Sequence, residues 1–155
     1  MSKLIAATIA CIGLVGCYWD DPGERVRIDE LEVDDDHEVG TRPEIEVYII
    51  DNDTNDFLGC SGEDHGLEDV DVAHSTYRNL GAHFERPSGD MMHWGDHDGQ
   101  MVRILVIEDD RNPCPAAAPS VEDDTVGESG PVPYSQLPGM LLEAPGFMLR
   151  FEERY

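Results

Sequence analysis

The sequence predicts an all-β fold, an antiparallel β-sandwich, from two observations. Apolar residues recur with a period of two over short segments, and clusters of Asp, Asn, Gly and Pro separate those segments. No window carries a sustained helical apolar stripe with a cap and a stop. Length and composition fit this class, because 155 residues allow one domain and 40% hydrophobic residues allow a core. A balance of 34 Asp and Glu against 10 Lys and Arg gives a formal charge of -24, which argues against nucleic acid as a partner.

Val26 and Ile28 alternate, and Leu31 and Val33 continue with the phase shifted by one, so residues 25–33 read as a strand with a bulge. Asp34-Asp35-Asp36-His37 ends it. Ile45, Val47 and Ile49 alternate with Glu44, Glu46 and Tyr48, the pattern of a half-buried strand over 44–50. Residues 51–66 are crowded with Asp, Asn and Gly and read as a loop, and 68–74 read as a short strand with Val70 and Val72 inward. The run 101–107 is apolar except for Arg103, which predicts a central strand buried on both faces. Three prolines break the chain over 112–120. Residues 130–146 read as an irregular crossing with one short strand around 140–142, and Phe147, Leu149 and Phe151 alternate as a last strand.

The N-terminus speaks to location. Lys3 precedes an apolar run from Leu4 to Val15, too short to span a bilayer stably, and Gly16 and Cys17 follow. Leu14-Val15-Gly16-Cys17 resembles the lipobox of bacterial lipoproteins, whose cysteine takes a diacylglycerol before the signal is cut away on its N-terminal side. The resemblance implies a signal peptide over 1–16 and lipidation at Cys17. The polar residues that follow, with Pro22 and Gly23, read as an acidic tether over 17–24, and the strand pattern places the β-sandwich domain over 25–155. The lipobox resemblance also implies a membrane partner reached through covalent lipid, where two or three acyl chains anchor stably. Tyr18, rather than Asp, follows the cysteine, so family sorting favours the outer membrane over the inner one. Lys3 is the only lysine, so the remainder would carry arginine alone against its carboxylates, a composition that suits a salty environment or reflects genomic bias toward arginine codons.

Cysteine arithmetic follows. Cys11 would leave with the signal and Cys17 would be acylated, so Cys60 and Cys114 remain. An exported chain with two thiols predicts one disulfide, with two unpaired thiols as the alternative. Closing so long a loop contributes about 4 kcal/mol in the chain-entropy model.

The segment order over 25–155 resembles the C-two domain, the calcium- and phospholipid-binding sandwich. Asp34-Asp35-Asp36, Gly40 and Arg42-Pro43-Glu44-Ile45-Glu46-Val47 stand where that family has its first acidic loop and the strand after it. Ile104 to Ile107, leading into Glu108-Asp109-Asp110, and Asp124 three residues before Gly127 stand where it has its third loop. The resemblance implies calcium held by Asp34, Asp36, Glu108, Asp110 and Asp124, since calcium takes six to eight oxygen ligands from such loops. The chain departs from the family at Arg42 and Glu108, each in place of an Asp, and in an insertion around Cys114. With this register Cys60 sits at the face opposite Cys114, roughly 20 Å away across six strand residues, unless the 51–66 segment folds back along the sheet.

Other sites weigh less. Asp51, Asp53 and Asn55 fit the start of an EF-hand loop, but Asp56 and Gly62 occupy the positions of its glycine and bidentate acid. His83, His93 and His97, beside Asp96 and Asp98, offer imidazole and carboxylate to zinc, nickel or copper, although Gly95 and Gly99 oppose a helix that would align them. Gly127-Glu128-Ser129-Gly130-Pro131 fails the nucleophile-elbow pattern. The expected function is therefore binding or scaffolding in the cell envelope, with an unidentified envelope protein as partner and no enzyme activity. Transition-metal binding through His83, His93 and His97 is the alternative.

Overall fold

The computed structural model describes residues 24–33, 45–67, 76–108, 114 and 124–155. Its strands are β1 (Arg27–Val33), β2 (Ile45–Asp51), β3 (Phe57–Ser61), β4 (Thr76–His83), β5 (Met101–Glu108), β6 (Asp124–Glu128), β7 (Val132–Pro133), β8 (Leu141–Ala144) and β9 (Phe147–Phe151). They form two antiparallel sheets, one ordered β4-β1-β9-β8 and the other β3-β2-β5-β6, with β7 also paired to β5. Ile28, Leu31, Leu149 and Phe151 of the first sheet share one buried core with Val47, Ile49, Ile104 and Val106 of the second. Each such side chain contributes about 1.5–3 kcal/mol by leaving water. This is the predicted antiparallel β-sandwich.

The bulge foreseen in β1 lies between Ile28 and Glu30, where the register shifts against both β4 and β9. It turns Glu30 outward between Arg150 and Arg78, whose Nε atoms donate to its carboxylate at 3.2 and 3.0 Å. Hydrogen bonds from Arg150 and then Arg78 hold the Glu30 carboxyl below its ordinary range.

Three expectations need correction. Residues 51–66 are not all loop, because β3 lies within them and pairs back along β2, with Cys60 opposite Tyr48. Strand β2 is buried on both faces rather than one, since Glu46 and Tyr48 are covered as fully as Ile45 and Ile49. Strand β5 is central, but its outward residues Met101, Arg103 and Leu105 are half-buried, and only Ile107 is covered on that side. The expected strand over 68–74 lies outside the described residues, whereas β4 and β6 form where none was expected.

The cover over β2 is the disulfide. Cys60 and Cys114 are bonded with Cα atoms 5.9 Å apart, and they pack with Tyr48 and Ile107 in a second, outer apolar cluster. The distance conflict vanishes because β3 reverses direction and carries Cys60 back toward the end of the sheet that the β5–β6 connection leaves. Cys114 N–H also donates to Glu46 Oε1 at 2.7 Å, and the Tyr48 hydroxyl donates to Glu46 Oε2. The carboxylate beneath the disulfide thus receives the donors its burial requires.

The two sheets meet at a corner. After β4 the chain leaves the first sheet and runs along the edge of β3, where Cys60 and Glu85 exchange N–H···O bonds of 2.9 Å in both directions. Gly59 permits that approach, because a Cβ there would lie 2.9 Å from the Glu85 carbonyl oxygen and 2.8 Å from Met92 Sδ. Gly95 has open space around it. Gly59→Ala should therefore lower stability by about 1–3 kcal/mol in denaturant melts, and Gly95→Ala should stay within about 0.5 kcal/mol of the parent.

Candidate functional site

At this corner three titratable side chains converge. On β4, His83 pairs by backbone with Arg27 of β1, and Glu85 follows two residues later, so extended chain points both side chains to one side. The third, His65, ends the 3₁₀ turn Glu63–His65. That turn closes through His65 and Leu67 N–H groups donating to the Gly62 carbonyl at 3.0 and 3.2 Å. Gly66 then docks the turn on β4: its φ is 107°, and a Cβ would lie 3.1 Å from Ala82 Cα. Few other residues adopt that backbone conformation at so close a contact.

His65 Nε2 lies 3.4 Å from Glu85 Oε2, and His83 Nε2 lies 3.7 Å from Glu85 Oε1. The two imidazoles meet edge to face with centroids 5.2 Å apart. One ligand atom from each of the three residues falls within 4.8 Å of the others. The imidazole–carboxylate separations exceed those of good hydrogen bonds. His65 is 5% exposed, while His83 and Glu85 keep 24% and 22%. Burial first, then the neighbouring His65, pushes the His83 pKa below its ordinary value against the pull of Glu85, so at neutral pH its ring is uncharged. Gly62 N–H donates to His65 Nδ1 at 3.3 Å, which places the ring proton on Nε2, facing Glu85.

His83 was nominated from sequence together with His93 and His97, and the fold separates their roles. The His93 backbone bridges Arg25, and its carbonyl accepts the Tyr134 hydroxyl at 2.6 Å. His97 packs edge-on against Tyr134, with ring centroids 5.3 Å apart. Among the described residues, the group with metal-ligand proximity joins His83 to His65 and Glu85 instead. Sequence reasoning missed His65 and Glu85, although His83-Phe84-Glu85, alternating around a buried phenylalanine, carried the signal of a strand with two ligands on one side.

Of the calcium set, Asp34, Asp36 and Asp110 lie outside the described residues, as do Cys17 and residues 1–23. Glu108 closes β5 opposite Ile45 on one side and Asp124 on the other. The connections 34–44 and 109–123 therefore attach at the same end of the second sheet. The EF-hand-like stretch is the β2–β3 turn. Asp51 Oδ1 accepts the N–H groups of Asp53 and Thr54 at 2.8 and 2.9 Å, and these bonds, Thr54 first, hold its pKa below the usual carboxylate range. Asn55 adopts φ 61° and accepts from Arg103, which also pairs with Glu128. These side chains serve the turn.

Comparison with family models, curated proteins and solved structures returns no match.

The acidic end of the second sheet leads to a measurable expectation. If the two connections hold calcium, a full-chain melt at fixed ionic strength should show a saturable rise in Tm with calcium that magnesium does not reproduce and that Asp124→Asn removes. An equal response to both ions would mean unspecific screening of the charge.

Proposed function

We propose that this chain is a lipid-anchored lipoprotein of a bacterial envelope. In this reading Cys17 carries the acyl chains, residues 17–24 are the tether, and the sandwich over 25–155 serves binding or scaffolding toward an envelope partner. The observation that carries it is the pairing of Cys60 with Cys114. A structural disulfide suits an oxidising compartment. Once Cys11 is removed with the signal, this pairing leaves Cys17 as the one cysteine free to take lipid. Tyr18 after it favours the outer membrane.

The fold suits a display role. Within the described residues its polar turns and acidic strand ends surround a closed core, and Leu141 and Tyr155 are the exposed large apolar side chains. Such a surface would be repelled by anionic lipid, so covalent anchoring supplies the membrane attachment that the protein surface opposes. Calcium bound at the Glu108 and Asp124 end would stiffen the acidic connections or bridge to a partner. Membrane recruitment by calcium would be redundant with the anchor.

Expression of the full chain in a bacterium with labelled palmitate tests the reading. Label should enter the wild-type protein and partition with membranes, and Cys17→Ala should remain unlabelled with its signal uncleaved. Label that persists in Cys17→Ala contradicts it.

A further inference from the structure

We propose that His65, His83 and Glu85 form a binding site for a divalent transition-metal ion of the zinc class, located where β4 passes from one sheet to the edge of the other. The proposal stands independently of the lipid anchor.

Geometry carries the argument. A tetrahedral zinc ion with bonds of about 2.0–2.1 Å places its ligand atoms about 3.3 Å apart. The His65 and His83 Nε2 atoms lie 3.4 and 3.7 Å from the two different oxygens of the Glu85 carboxylate, and one ligand atom from each residue lies within 4.8 Å of the others, so small side-chain rotations bring the three to that spacing. These distances are long for hydrogen bonds, and a cation between the three groups would engage all of them at once. Two imidazoles and one carboxylate select zinc and its neighbours over calcium or magnesium, which favour oxygen.

The scaffold fixes each ligand before any ion arrives. Glu85 is held by its reciprocal backbone bonds to Cys60, which the disulfide restrains in turn. His83 is held by β4, and His65 by the Gly66 contact with Ala82. Partial exposure of His83 and Glu85 leaves a path for the ion and room for a fourth ligand from solvent. Two features oppose loading. Arg27 lies near enough to His83 to disfavour added positive charge. An ion on His65 Nε2 would also move the ring proton to Nδ1, against the Gly62 N–H. Loading should therefore shift the Gly62 amide, a signature that adventitious ions on surface carboxylates would not give.

The test titrates zinc chloride into the full chain by calorimetry, with cobalt(II) absorption as a second readout. One ion per chain is expected, with tetrahedral cobalt bands and a shifted Gly62 amide resonance. His83→Ala and Glu85→Gln should each weaken zinc by about tenfold or more, while the His93→Ala, His97→Ala double variant should bind as the parent does. Circular dichroism of the variants separates lost ligands from lost fold. If a variant misfolds, the wild-type cobalt spectrum and the ring resonances of His65 and His83 decide instead. Absence of saturable binding, unaltered binding by folded His83→Ala and Glu85→Gln, or zinc that leaves Gly62 and both rings unshifted would overturn the proposal.

Discussion

The reciprocal backbone pairing of Cys60 with Glu85 is the constraint on which the rest depends. Two stacked sheets share apolar contacts, but side-chain packing alone is tolerant of sliding. A pair of hydrogen bonds between the edge of one sheet and the chain leaving the other fixes their relative position at one corner. That corner sets where Cys60 stands and hence where the disulfide draws Cys114. It also sets the orientation of Glu85, and with it the grouping of His65 and His83.

A chain with so strong a carboxylate excess repels itself, and the fold answers this locally. Glu30 is held between two arginines, Asp51 is consumed by the N–H groups of its own turn, and Glu46 receives a tyrosine hydroxyl and the Cys114 amide beneath the disulfide. Other arginines pair with carboxylates at the surface, Arg103 with Glu128 and Arg154 with Glu24. Each exposed pair contributes little by itself. Their positions at strand edges and turns show that the charge excess is managed by geometry as well as by solvent.

Strands β1, β2 and β9 were legible because alternation against a buried face leaves a period of two in the sequence, and β5 because a short apolar run reads as a central strand. Residues such as Ile45, Val47 and Ile49 announce that face directly. Strand β3 was illegible for a physical reason: Phe57-Leu58-Gly59-Cys60-Ser61 needs a glycine at the corner contact and sits next to a turn rich in Asp and Asn, so its composition reads as loop. The burial of Tyr48 and Glu46 could not be read either, because it comes from a disulfide whose partner lies far along the chain. The histidine grouping was hidden in the same way. Proximity in sequence favoured His93 and His97, whereas His65 reaches His83 only after a tight turn docks through Gly66. Pairing of Cys60 with Cys114, by contrast, followed from counting thiols.

Amide hydrogen exchange in the oxidised full chain tests the corner most directly. With the sheets fixed there, the Cys60 and Glu85 amides should exchange only through global unfolding, as slowly as the amides of β5 that pair with β2. Exchange of these two amides at rates typical of exposed turns, while the β2–β5 amides stay protected, would contradict the account.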